Sequence, residues 1–256
     1  MVSLHHALET WKNAAGIAGN IFAFGLFVSP IPTFQRIIRN RTTEQFSGSP
    51  YIYALLNCLI CAWYGSPLVS VDNLLVTSVN SVGAVFQMAY IIIFIMYAER
   101  GKKLKMIGLV IGVISLFSVI MLGSLLIVDF EVRRSSIGSL SCVTLISMFA
   151  SPLLVIKLVV RTRSVEFMPF FLSLSTFLMS TAFCLYGVLN SDPFVYAPNG
   201  MGAILGIIQL VLYSYYKSTS RQDSQGPLIE SYDHERRFGL LHTASEKKFV
   251  YWLAEQ

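Results

Sequence analysis

The sequence predicts an all-α membrane protein: seven transmembrane helices, arranged as two parallel three-helix repeats joined by a linker helix. Three observations predict it. Of the 256 residues, 54% are hydrophobic and only 13% charged, against roughly 25% charged in soluble domains, and the mean hydropathy is +0.62. The apolar residues gather into seven stretches of about the 20 residues that a bilayer-spanning helix requires. The motifs of the first half return, in order, in the second.

Spans are predicted over 13–34, 51–70, 73–97, 105–128, 137–159, 168–190 and 194–216. The first repeat is then 13–97, the linker helix 105–128, the second repeat 137–216, and a polar cytosolic tail 217–256. Basic residues set the orientation. Arg36, Arg39 and Arg41 follow span 1, Arg100, Lys102, Lys103 and Lys105 follow span 3, Arg161 and Arg163 follow span 5, and Lys217 and Arg221 end span 7. The alternate loops hold Asp72, Asp129, Glu131 and Asp192, with Arg133 and Arg134 as the exception. This places the N-terminus outside and the C-terminus in the cytosol, so the sequon at Asn40 is expected to be unused. The start lacks a basic n-region and a small-residue cleavage site, so no removable signal peptide is predicted. In the tail, apolar Phe249–Leu253 suits a membrane surface or a partner, or is simply a loose end. The net charge of +5 sits in short loops and reflects topology, not nucleic-acid binding. Cys58, Cys61, Cys142 and Cys184 fall inside apolar segments, which argues against disulfides and against a metal role for the Cys58-x-x-Cys61 pair.

The repeat is read by placing Pro30 on Pro152. Segment 27–34, Phe-Val-Ser-Pro-Ile-Pro-Thr-Phe, then meets 149–156, Phe-Ala-Ser-Pro-Leu-Leu-Val-Ile. Pro50 meets Pro169, Cys61-Ala-Trp-Tyr64-Gly65 meets Phe183-Cys-Leu-Tyr186-Gly187, and Asn80-x-x-Gly83 meets Asn199-x-x-Gly202. Both third spans carry a Gln and a Tyr, Gln87/Tyr90 and Gln209/Tyr213. Triplets joined directly would face opposite ways; the unmatched fourth span reverses the chain and makes them parallel. Transporters commonly place their substrate at such a repeat interface near mid-membrane.

These residues resemble the SWEET family of sugar transporters, itself one of the known examples of parallel repeats. The resemblance covers about residues 13–216, and the polar tail is similar to that of plant members. It implies a sugar substrate, a bilayer, no cofactor or metal, and a homo-oligomer, a trimer in particular. It also implies a plasma rather than vacuolar membrane.

The candidate residues follow. Asn80 and Asn199 are matched amides in apolar spans; an amide both donates and accepts, so a facing pair suits vicinal hydroxyls. The competing reading is a helix–helix hydrogen bond. The resemblance implies that Cys61 and Phe183 flank the sugar, although the family often carries Ser and Trp there; simple packing is the alternative. Tyr64 with Asp192, and their counterparts Tyr186 with Asp72, are candidates for an outer gate built on phenol–carboxylate bonds, or for interfacial anchors. Pro30, Pro50, Pro152 and Pro169 are hinge candidates, although Pro50 and Pro169 also suit helix starts. Gly108-x-x-x-Gly112 and Gly202-x-x-x-Gly206 predict close helix packing.

Absences narrow the function. No acidic residue lies mid-span, as a proton-coupled carrier usually requires, and no nucleotide, zinc or nucleophile motif is present. The expectation is a passive, bidirectional sugar uniporter working by alternating access, with a hexose such as glucose favoured over sucrose, and not an enzyme. The alternatives are a seven-helix receptor, which needs no duplication, and an ion channel, for which neither a charged ring nor a filter loop is found.

Overall fold

The computed structural model describes residues 2–165 and 168–218, with side chains from residue 5 on. The predicted tail, with Phe249–Leu253, and the repeat residues Glu166 and Phe167 lie outside the described residues. Nine helices are described: α1 Val2–Val28, α2 Ile31–Asn40, α3 Ser49–Tyr64, α4 Leu74–Tyr97, α5 Arg100–Leu125, α6 Phe130–Met148, α7 Ala150–Thr162, α8 Phe170–Leu189 and α9 Pro193–Ser218. The described residues contain no strand, and the chain is all-α, in keeping with the predicted 3+1+3 arrangement.

Helices α1 and α2 form one span interrupted at a proline. Pro30 has no N–H, so the Leu26 carbonyl loses its usual donor four residues on. It accepts instead the N–H of Ser29 at 3.3 Å and its hydroxyl at 2.9 Å. The next carbonyl, Phe27, accepts the Tyr90 hydroxyl from α4 at 2.6 Å. Helices α6 and α7 break at the matching place, where the Phe149 N–H turns back to the Ile146 carbonyl at 3.0 Å. Pro50 lies in the first turn of α3, and Pro169 directly precedes α8; both start helices.

Hydropathy misplaced several ends. Among the described residues six spans, α1 with α2, α4, α5, α6 with α7, α8 and α9, are long and apolar enough to cross a membrane by length and composition. The seventh, α3, has 16 residues, about 24 Å of helix, and stops at Tyr64 instead of running to residue 70. Gly65 and Pro67 break it, and the chain continues in turns: Ser66 N–H to Trp63 carbonyl at 3.1 Å and Ser70 N–H to Ser66 carbonyl at 2.8 Å. The first and fifth spans instead overrun their predicted ends, reaching Asn40 and Thr162. Helix α2 buries Phe34 and Ile37 while Arg36 and Arg39 stay exposed, so hydropathy falls where helix continues. Both spans end on a left-handed arginine, Arg41 and Arg163, each with φ 52°.

The packing places the third span of the first repeat beside the other two: α4 lies on α1 and α3. The repeats meet through α1 on α8 and α3 on α6, two contacts that a two-fold axis along the membrane normal exchanges. Linker helix α5 rests on α3 and α4 and only grazes α6. In the second repeat, Gly202 and Gly206 let α9 approach Ser180 and Phe177 of α8 closely. A Cβ at Gly108 or Gly112 would meet nothing within 4 Å, so the other small-residue motif packs against no described helix.

One end of the first repeat is braced. Arg36 donates to both Glu44 oxygens at 3.0 and 2.6 Å, Asn40 donates to the same carboxylate at 2.7 Å, and Lys102 of α5 reaches the Glu44 carbonyl at 2.8 Å. The Arg36 guanidinium, with Asn40 adding to it, holds the Glu44 carboxyl below its ordinary range.

Candidate functional site: a cavity between the repeats

A cavity of about 400 Å³ lies between the two triplets, within the roughly 300–1,000 Å³ range of small-molecule sites. Its walls come from α1, α3, α4, α6, α7, α8 and α9, and they are mostly apolar. All four predicted substrate residues, Asn80, Asn199, Cys61 and Phe183, line it.

The two amides are presented alike. Asn80 donates to the Val76 carbonyl at 2.9 Å, and Asn199 to the Val195 carbonyl at 2.8 Å. Each bond runs one turn back along the residue's own helix and fixes the rotamer. It uses one N–H, leaving a carbonyl oxygen and a second N–H for the cavity. Neither amide reaches the other repeat, so the gluing hydrogen bond considered above is not formed. Gly83 and Gly202, three residues on, have a shared purpose. A Cβ at Gly83 would stand 2.8 Å from the Phe27 ring and 2.9 Å from the Cys58 sulfur; at Gly202 it would stand 2.6 Å from the Ser180 hydroxyl and 3.1 Å from the Phe149 ring. Phe27 and Phe149, mates under the repeat, both line the cavity. The sequence carries this signal in the two Phe-x-Ser-Pro segments.

Cys61 is 6% exposed and Phe183 5%. The Cys61 thiol donates to Asn57 Oδ1 at 3.7 Å, so the polar group offered at this wall is the Asn57 amide. Sequence reasoning missed Asn57, because its mate under the repeat, Met179, is apolar and no pair drew attention to it. Gln87 also lines the cavity, whereas Gln209 is buried elsewhere. The shift that pairs Asn80 with Asn199 pairs Gln87 with Gly206, so the matching of the two glutamines does not hold.

The predicted outer end is shut. Asp192 is 0% exposed. Its carboxylate accepts the Tyr64 hydroxyl at 2.7 and 2.6 Å, the Asn73 amide, and the Phe194 N–H at 3.0 Å. The counterpart differs from the expected phenol–carboxylate pair. Tyr186 donates at 2.7 Å to the backbone carbonyl of Asp72, whose side chain lies in an exposed residue. The residue that immediately precedes α4, as Asp192 precedes α9, is Asn73, fully buried and accepting from the Asn190 amide at 3.0 Å. Small residues let these tyrosines cross between repeats: a Cβ at Gly16 would meet Tyr186 and Leu75, and one at Gly138 would meet Tyr64 and Phe194. At the opposite end α2 packs on α4 and α7 on α6. Among the described residues no extended contact joins α2 to α7, and the cavity wall reaches Ser151 and Pro152.

Comparison with known proteins decides the family. The family described as sugar efflux transporters for intercellular exchange matches twice, over residues 13–102 and 135–221. The chain belongs to the SWEET family. It is 62% identical over 227 residues to the bidirectional sugar transporter SWEET2 of Arabidopsis thaliana, covering 88% of this chain and 96% of that one. It is 57% identical over 215 residues to SWEET2a of Sorghum bicolor, covering 84% and 88%. A solved eukaryotic SWEET transporter matches with a TM-score of 0.82 at 54% identity, over 83% of this chain and 99% of that one. This is a plant SWEET and a multi-pass integral membrane protein, in a family of sugar transporters and not of enzymes.

Proposed function

We propose that this SWEET is a bidirectional facilitative sugar carrier that works by alternating access. Its sugar is held between the repeats by Asn80 and Asn199, with Cys61 and Phe183 on the flanking walls. The single observation that supports this reading is the symmetric pair of half-used amides in a cavity closed at one end. Tyr64 with Asp192, and Tyr186 on the Asp72 carbonyl, form the outer gate. Pro30 and Pro152, beside the two breaks, and Pro50 and Pro169, at helix starts, are the pivots. The three-helix units 13–97 and 137–216 move against each other, with 105–128 linking them.

Hexose is carried in preference to sucrose. The walls are mostly apolar, and Phe183 closes one side; a second ring needs more length and more hydroxyl partners. The distribution of basic loops supports an outside N-terminus and a cytosolic C-terminus, and we assign the protein to the plasma membrane as a homo-oligomer, a trimer. The test is uptake of radiolabelled glucose and sucrose into proteoliposomes. Saturable glucose flux that follows only the sugar gradient is expected. Sucrose uptake at least as fast as glucose, or accumulation driven by an imposed proton gradient, refutes the respective claim.

A further inference from the structure

One of the two basic residues that break the topology pattern, Arg134, gains a purpose from the structure. Arg134 lies in the second turn of α6, with one guanidinium nitrogen 3.5 Å from the buried Asp192 carboxylate and the other 3.9 Å from Glu131, one turn earlier. Its side chain is 28% exposed and that of Glu131 74%. The shift that places Pro30 on Pro152 places Glu9 and Lys12 on Glu131 and Arg134. In the first repeat Lys12 is bonded to Glu9 at 2.8 Å. There the capping position is the neutral Asn73; in the second repeat it is Asp192. Where the cap is neutral the cation stays on its own helix, and where the cap is an anion the cation leans away from its helical partner.

We propose that Arg134 is the positioning residue of the outer gate and acts by exchanging partners: it faces Asp192 while this end is closed and Glu131 when it opens. The physical reason is the burial of Asp192. A carboxylate withdrawn from water is costly unless a cation or a full set of donors accompanies it. Tyr64 leaves Asp192 when the gate parts, so the carboxylate rehydrates and no longer needs Arg134. The guanidinium is then free for the exposed Glu131. This rests on the carrier reading only in calling this end a gate.

The test measures distances between spin labels at Leu68 and Ser191, two exposed positions flanking the gate. It uses the full-length protein in liposomes with its four cysteines replaced by serine. Arg134→Gln raises the open fraction about tenfold. Adding Asp192→Asn recreates the neutral arrangement of the first repeat and restores closure. A purely structural role for Arg134 predicts no such rescue. Glu131→Gln, measured in the Tyr64→Phe background where the open fraction is appreciable, lowers it about two- to threefold. Unchanged distances in Arg134→Gln, or a double variant no more closed than the single one, overturn the proposal. If Arg134→Gln does not fold, the Glu131→Gln comparison decides, and no shift there overturns it. Sugar flux plays no part in this readout, so loss of the carrier reading and loss of the latch are separate results.

Discussion

Asn80→Ala tests the cavity where the structure makes its sharpest statement. The wild-type amide spends one N–H on the Val76 carbonyl and keeps an acceptor and a donor for the ligand. Truncation removes one or two hydrogen bonds to sugar, about 1–3 kcal/mol, or a factor of roughly 5–150 in affinity. Asn199→Ala has the same effect by symmetry. Asn80→Asp is the more telling variant. It keeps size and acceptor but places an oxygen where a nitrogen stood 2.9 Å from the Val76 carbonyl, adding lone-pair repulsion and a buried charge. It therefore transports worse than the alanine variant, although it is closer in shape. The assay is the initial rate of glucose uptake into proteoliposomes, normalised to folded protein, over a range of sugar concentrations. Equal flux in wild type, Asn80→Ala and Asn199→Ala, or an Asp variant that matches wild type, refutes the assignment of these amides to the ligand. Because both amides are proposed to hold one sugar, the double alanine variant costs less than the sum of the singles.

Three further outcomes are expected. Tyr64→Phe keeps the ring and loses the hydroxyl donated to a buried carboxylate, about 1.5–3 kcal/mol of closed-state stability; label distances across the gate then lengthen, and a distribution identical to wild type counts against the gate. Cys61→Trp fills the cavity wall and reduces glucose flux at least about tenfold, while Cys61→Ser is tolerated because a hydroxyl also reaches Asn57; unaltered flux in Cys61→Trp puts this side chain outside the path. Glu44, with its carboxyl held below the ordinary 4.5 by Arg36 and Asn40, contributes stability that is present above that value and lost as pH falls through the lower folded one. The thermal-unfolding gap between wild type and Glu44→Gln therefore stays open from neutral pH down to about 5 and closes below it; a gap independent of pH contradicts the brace.

Much of this was legible because duplication makes a sequence its own control. Asn80 and Asn199 stood out as amides in greasy helices at matching places, and the structure puts both on one cavity. Tyr64 and Asp192 were found the same way. What escaped were features that the duplication does not share. Asn57 has Met179 as its mate, and Asn73 was passed over because Asp72 beside it carries the charge that matched Asp192. The end of α3 was overrun because hydropathy averages across Gly65 and Pro67, although both signal a turn. The ends of α2 and α7 were undershot for the opposite reason: amphipathic turns lower the average without stopping the helix.

The matched amides Asn80 and Asn199 line the middle of this molecule, and further differences between the repeats lie at its ends. At the predicted outer end, one anion, Asp192, stands opposite its neutral counterpart Asn73. At the predicted cytosolic end, Phe34, Ile37, Tyr90, Ile91, Phe94 and Met106 form a buried cluster of the first repeat with linker helix α5, and Lys102 ties that helix to the loop after α2. The second repeat gets little from that helix, which only grazes α6. A two-fold site suits a substrate approached from either repeat, but two identical halves give motion no preferred division. The brace to α5 falls on the first repeat, so under the proposed alternating access the two halves start from unequal support at the predicted cytosolic end.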